Sequence, residues 1–369
     1  MQASLKTNIN DIQLLWLVPR DCTPEVRAVF IMVTIEKLND YVQKVSETTG
    51  YWMVRTMGGD YYEEYDQNGF VAIGYNEITL NEIRNLDHDI NKANIQLREK
   101  VKRLFPDIAR PGHIASQLLR FCRSIKPGDI ILLPSHASYK VSICRVTGAV
   151  YDAVNAREDN GECPFIKRLP IEIVKHTTRL DLPPKAQLMF NSRHPISDIS
   201  NYAQYLDNTV CDFYSKSEEL HVVLKINTDD NVATTTFYNI EKIFEIANGF
   251  CLENNIPFEY DDVILKVQME SKGCLHFISK NKNKLAIAVL GILFINGGGL
   301  KIENGNFKLD LSTDGLFKAY SEYMDRKVDR ETKEAIKNSL DSLDIATPKD
   351  FQEAAIELYK AQNQAREKY

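Results

Sequence analysis

Two hydrophobic patterns alternate along the chain: short apolar runs bounded by glycine, proline or asparagine, and longer stretches with apolar positions three and four residues apart. Tyr51 to Arg55 reads as a strand and Phe70 to Ile73 as the buried run of a second. Between them, Met57-Gly58-Gly59-Asp60 reads as a turn whose glycines permit positive φ or close approach of another backbone. A flat ligand would fit such a loop. Helical periodicity runs from the Thr23-Pro24 cap through Ile35, Leu38 and Tyr41 toward Glu47. It returns over Leu80–Leu104, with Ile83, Leu86, Ile90, Ile95, Val101 and Leu104 inward, and over His113–Ser124, with Ile114, Leu118, Phe121 and Cys122 inward. The turn Lys126-Pro127-Gly128-Asp129 then leads into strands at Ile130–Pro134 and Lys140–Val146, and Phe165–Val174 is strand-like.

After residue 195 the pattern changes. Asp198–Tyr214 reads as a helical connector, Leu220–Ile226 as a clean strand and Thr235–Glu253 as an amphipathic helix. Strands at Val263–Met269 and Leu275–Ser279 precede a buried helix at 284–296, an Asn304-Gly305 hairpin and three closing helices. The expected fold class is α+β, divided as an extension and helix at 1–49, a small β-barrel with edge helices at 50–195 and a connector at 196–217. An α+β domain at 218–312 and C-terminal helices at 313–369 complete it. Met32, inside the first helix, is an alternative start.

Composition adds limits. At 42.2 kDa the chain is long enough for two cores, and a net charge of -6 argues against wrapping nucleic acid by bulk electrostatics. Seven dispersed cysteines without a CxxC pair read as reduced cytoplasmic thiols and suggest no metal site; nothing points to a cofactor. The run Leu285–Ile295 falls short of the roughly 20 residues needed to span a bilayer, so no membrane partner is expected, a membrane-active hairpin being the competing reading.

Candidate chemistry is of the binding kind. Trp52, Arg55, Tyr61, Tyr62 and Tyr75 could stack on and edge-bind a base, with core packing as the competing reading. Arg98, Lys100, Lys102, Arg103, Arg110, Arg120, Arg123, Lys126, Lys140 and Arg145 form a basic segment suited to phosphates. Ser135 and His136, adjacent in a loop, suit ligand contact and not a nucleophile–base pair, and no GxSxG elbow exists. Asp262 with Glu270-Ser271-Lys272 echoes the acidic and lysine string of metal-dependent nucleases. The last helix, with Phe351, Ala354, Ile356, Leu358 and Tyr359, either covers the sheet or oligomerises the protein.

Several of these motifs occur together in order. Trp52-Met53-Val54-Arg55, Gly58-Gly59, Tyr62-Glu63-Glu64-Tyr65, Gly69 to Gly74, Phe121, Lys126-Pro127-Gly128-Asp129 and Val146-Thr147-Gly148 resemble the PUA-like, EVE-related N-terminal domain of Mrr-type restriction proteins. The resemblance covers under half the chain and stops before the C-terminal domain. It implies a barrel that reads a nucleobase, often modified, in prokaryotic restriction and antiphage defence. The expected function is DNA binding, with Trp52, Arg55, Gly58, Gly59, Tyr61, Tyr62, Tyr75, Ser135 and His136 at the base. Lys102, Arg103, Arg120, Arg123, Lys126 and Lys140 would meet phosphates, and the C-terminal domain would assemble the protein or relay binding to an effector protein. The alternatives are a nuclease or other toxic effector with its active site in the C-terminal domain, and a membrane-disrupting effector built on 285–295.

Overall fold

A computed structural model describes residues 24–153, 163–228, 230–259, 262–268, 273–296, 299–302, 305–308 and 316–367. The apolar stretch before Pro24, the Thr23 cap, most of the polar loop at 156–163 and Glu270-Ser271-Lys272 lie outside the described residues. The chain divides into two compact units, residues 48–210 and the segments before 48 and after 210.

The chain opens with helix α1 (Pro24–Asp40) and strand β1 (Gln43–Val45). The helix stops short of the Glu47 expected from periodicity, because residues 43–45 pair in parallel with 214–216 instead. Met32 lies mid-helix, with Ala28, Phe30 and Ile31 before it buried.

The 48–210 unit follows, with β2 (Tyr51–Val54), α2 (Tyr62–Asn68), β3 (Phe70–Ile73), α3 (Leu80–Arg84), α4 (Ile90–Leu104) and α5 (Pro111–Leu119). It continues through β4 (Ile130–Pro134), β5 (Lys140–Val146), β6 (Tyr151–Asp152), β7 (Lys167–Thr178), α6 (Pro184–Gln187), β8 (Ile196–Asp198) and α7 (Ala203–Val210). The strands form one curled half-barrel sheet in the order β3-β7-β5-β4-β2-β8, with β6 on β7. Only the β2–β4 pair is parallel. Both faces are covered, which is why β3 and β4 read as unbroken apolar runs. Val54, Ile131, Leu133, Cys144 and Val146 pack on one side under α2 to α5; Tyr51, Met53, Leu132, Val141 and Ile143 pack on the other against Leu182, Met189, Phe190 and Leu206.

Three local readings change. Leu80–Leu104 is broken after Arg84, and Asp89 caps α4 by accepting from the Asn91 and Lys92 amides at 2.9 Å. The buried stripe of α4 is Ala93, Leu97 and Val101, four residues apart, while Ile90, Ile95 and Leu104 are exposed. Residues 196–217 are not a free connector: β8 pairs antiparallel with β2, and α7 closes the same unit.

The remaining chain completes the unit begun by α1 and β1 with β9 (Phe213–Lys216), β10 (Glu219–Lys225), α8 (Thr234–Glu253), β11 (Val263–Gln268), β12 (Cys274–Ser279) and α9 (Lys282–Ile295). The hairpin β13 (Gly299–Ile302) and β14 (Gly305–Lys308) precedes α10 (Leu316–Lys327), α11 (Arg330–Ser342) and α12 (Lys349–Glu367). Its sheet runs β1-β9-β10-β12-β11. Helix α9 lies against α1, α8 and α11 and on β10 and β12, so its uniformly apolar sequence has neighbours on every side. No helix among the described residues is long and apolar enough to cross a membrane. Phe351, Ala354, Ile356 and Leu358 of α12 are buried in this core, so that face covers its own unit.

Candidate functional site

Strand β2 carries Trp52 and leads into Arg55, the two residues expected to face a base together, and period-two geometry separates them. Trp52 shares a face with Val54, whereas Arg55 follows Tyr51 and Met53 onto the other. The Trp52 indole donates to Asp129 Oδ2 at 2.9 Å, and the same carboxylate accepts from the Gly50 amide at 2.8 Å and the Lys126 amide at 3.0 Å. Trp52 is therefore part of the buried tie that fixes the turn before β4. Arg55 Nη2 donates to the Phe190 and Ser192 carbonyls, both at 2.6 Å. Burial, and then nearby Arg179, hold its guanidinium pKa below the usual range. Arg55 thus anchors residues 190–192.

Gly58 and Gly59 have φ of 78° and 117°, and the close approach at Gly59 is to protein: a Cβ there would lie 2.4 Å from the His136 amide nitrogen. The 57–59 and 136–138 turns pack on each other beyond the ends of the parallel strands β2 and β4, with Met57, Ala137 and Ser138 also in the left-handed region. Three non-glycine residues there store strain at one rim of the sheet. His136 is exposed on that rim, while Ser135 Oγ accepts from the Lys140 amide at 2.8 Å.

The tyrosines disperse. Tyr61 meets Phe165 edge-on at 5.5 Å and stacks on Tyr65. Tyr62 is buried, its hydroxyl 2.7 Å from Ser142 Oγ, which donates to Asp66, itself within 3.0 Å of His176 Nε2. Tyr75 packs edge-on against Phe105, and its carbonyl accepts from the buried Lys167 ammonium at 2.8 Å. Burial pushes the Tyr62 and Tyr75 phenols up.

The basic set divides in the same way. Lys102 and Arg103 are exposed in the last turn of α4, and Lys126 is exposed in its turn. Lys140 pairs with Glu63 at 3.0 Å. Arg123 is structural, donating to the Ile83, Leu86 and Asp87 carbonyls at 2.6–2.8 Å and closing the break between α3 and α4. Arg120 lies elsewhere, in a cleft of about 310 Å³ lined also by Met189, Ser192, His194, Ser197, Asp198 and Tyr202.

No protein-family model, curated protein or solved structure matches the chain. The cleft itself supplies the chemistry.

Its floor is edge strand β8, fixed to β2 on one side and clamped from α5 on the other: Gln117 Oε1 accepts from the Ile196 amide at 2.7 Å, and Arg120 Nη1 donates to the Ile196 carbonyl at 3.3 Å. That is the guanidinium's one hydrogen bond among the described residues, which leaves its other N–H groups for an acceptor in the cleft. Ser192 and Ser197 hydroxyls lie 2.6 Å apart, and His194 Nδ1 is 2.7 Å from His113 Nε2. Arg55 shapes this wall through its two bonds to 190–192. Arg120 can take an oxyanion, because a guanidinium binds phosphate or carboxylate through paired N–H groups, while the Asp198 carboxylate in the same lining accepts from the Ser200 amide at 2.9 Å. His113, His194, Ser192, Ser197 and Tyr202 are not among the site residues that the sequence pattern suggests; Asn191-Ser192-Arg193-His194 resembles an ordinary polar loop until β8 folds beneath it.

Burial, followed by His194, Arg120 and Arg110, holds the His113 imidazole below its usual range. An anion in the cleft opposes that shift by favouring the protonated form of His113. Affinity for sulfate, whose own charge is constant over this range, should rise as pH falls from roughly 7 to 5. Calorimetric titration at several pH values checks this, and His113→Gln should flatten the profile.

Proposed function

We propose that the 48–210 unit binds DNA, with a backbone phosphate seated against Arg120 in the β8 cleft and Lys102, Arg103 and Lys126 adding longer-range attraction. The observation that carries this reading is the Arg120 guanidinium, held by one protein acceptor among the described residues and lining a cleft of about 310 Å³, large enough for a nucleotide fragment. Phosphate contacts of this kind position a protein on nucleic acid without reading its sequence. Sequence or modification would be sensed at the strained rim formed by Gly58, Gly59, Ser135 and His136. The ordered motifs shared with PUA-like domains support a base-reading role in antiphage defence, and a curled mixed sheet is compatible with it.

The nuclease alternative gains nothing from Asp262, whose carboxylate accepts from the buried Lys284 ammonium at 2.7 Å. The test is fluorescence anisotropy with labelled duplex and single-stranded DNA carrying plain or modified bases. Arg120→Ala should weaken binding at least tenfold, about 1.4 kcal/mol, and reduce the salt dependence, with Lys140→Ala nearly silent because that lysine already pairs with Glu63. Binding unchanged by Arg120→Ala, or no binding to any of these DNAs, overturns the proposal.

A further inference from the structure

Strand β11, of sequence Val263-Ile264-Leu265-Lys266-Val267-Gln268, is the outer strand of the five-stranded sheet and pairs on one side with β12. Edge strands in soluble proteins are ordinarily guarded by charges, proline or a bulge, since their outward N–H and C=O groups template further strands. β11 has no proline and no glycine, and its register with β12 is unbroken over all six residues. Its only charge is Lys266, while Ile264, Leu265 and Val267 are 55%, 43% and 48% exposed. So much exposed aliphatic surface on an edge guarded by a single lysine is the feature that needs a partner.

We propose that β11 pairs antiparallel with β11 of a second copy of this chain, across a two-fold axis at Leu265, joining two sheets into one of ten strands. The register follows from geometry and charge. A two-fold relating side-by-side antiparallel strands stands normal to the sheet and keeps like faces together, so it must pass through a residue position and not between two. Centred on Leu265, it sets Val263 opposite the second copy's Val267 and Leu265 opposite its own counterpart. These residues continue the side that faces the helical core, where Val263 packs. On the other side Ile264 lies opposite Lys266 of the second copy, so each lysine stem covers an isoleucine. Centring on Lys266 would place two ammonium groups directly opposite one another, which destabilises a strand pair. Centring on Ile264 would leave Val267 facing beyond the partner's strand. The apolar–charged pattern of this edge therefore complements itself in one register. The strand contains no acidic residue that would favour a basic peptide instead.

This interface is independent of the DNA reading, and its consequence for that reading is valency: two 48–210 units in one particle gain avidity on a polymer. The experiment is sedimentation velocity of the full chain over about a hundredfold range of concentration. The wild type should shift from monomer to dimer. Leu265→Lys, which places lysines together at the two-fold, and separately Val267→Lys should each weaken association at least tenfold with an unchanged far-ultraviolet spectrum. Both positions are exposed in the monomer, so at least one variant should fold. A wild type that stays monomeric throughout, or a dimer undiminished in the folded variants, overturns the proposal. DNA binding by a monomeric wild type would sink the dimer while leaving the Arg120 site standing.

Discussion

Replacing Asp129 by alanine should destabilise the 48–210 unit by about 3 kcal/mol, the loss of three hydrogen bonds to one buried carboxylate. The carboxylate is 5% exposed and accepts three hydrogen bonds, from the Gly50 and Lys126 amides and the Trp52 indole. Two of these belong to the start of β2 and one to the turn before β4, so a single side chain links two parallel strands that lie far apart in sequence. Their register, Tyr51 beside Ile130, depends on that link. Trp52→Phe removes one donor and keeps the aromatic bulk, so its loss should be near 1 kcal/mol. Urea unfolding of the two variants measures the ratio; an Asp129→Ala loss no larger than that of Trp52→Phe would show that water replaces the carboxylate. Trp52→Ala is for the same reason a poor probe of ligand binding, because its effect passes through the fold.

In the other unit, Asp262→Ala should cost about 3–5 kcal/mol, the penalty for stripping a carboxylate from a buried ammonium. Lys284 is 1% exposed, donates to Asp262 at 2.7 Å and to the Glu259 carbonyl at 2.8 Å, and lies 5.7 Å from the Phe258 ring centre. It also sits in the first turn of α9, where the helix dipole disfavours a cation. Asp262 offsets both penalties. Combining Asp262→Ala with Lys284→Met should restore more than half of the loss, since replacing both charges by apolar groups avoids the desolvation cost. Guanidinium unfolding followed by circular dichroism checks the cycle, and a single-variant loss under about 1 kcal/mol would contradict it.

Elements set by local chemistry were legible in the sequence. Ile130–Pro134 and Lys140–Val146 match β4 and β5, flanked by the turn that Asp129 ties, and α9 is the buried helix that its unbroken apolar run implies. Helix α2 has no counterpart in the sequence pattern, where Tyr62 reads as a base-pocket residue, although Gly69 at φ 66° closing on the Tyr65 carbonyl is a helix-ending signal. The face of α4 went wrong because burial follows Ala93 and Leu97, and small alanine carries little weight in a pattern that favours isoleucine. β8, three residues long, is a strand by virtue of a distant partner, so no local period marks it, and β9 pairs with both the adjacent β10 and the distant β1. The site shows the same division. Arg120 was visible as a cation, but His194, Ser197 and Tyr202 meet it only after β8 joins β2. Trp52 and Arg55 looked like one pocket because adjacent motif residues invite that reading, whereas a strand sends them to opposite faces.

The parallel pairing of β1 with β9 makes the whole 48–210 unit the crossover connection between two neighbouring strands of its host. Closing so long a connection as a disordered loop carries an entropy cost that rises with the logarithm of its length, and a guest that folds first removes that cost by fixing its own ends. Residues 43–45 can then settle beside 214–216 as a late step. Damage inside the guest, at Asp129 for instance, will accordingly reach the host as slower closure of its sheet, with no host residue changed.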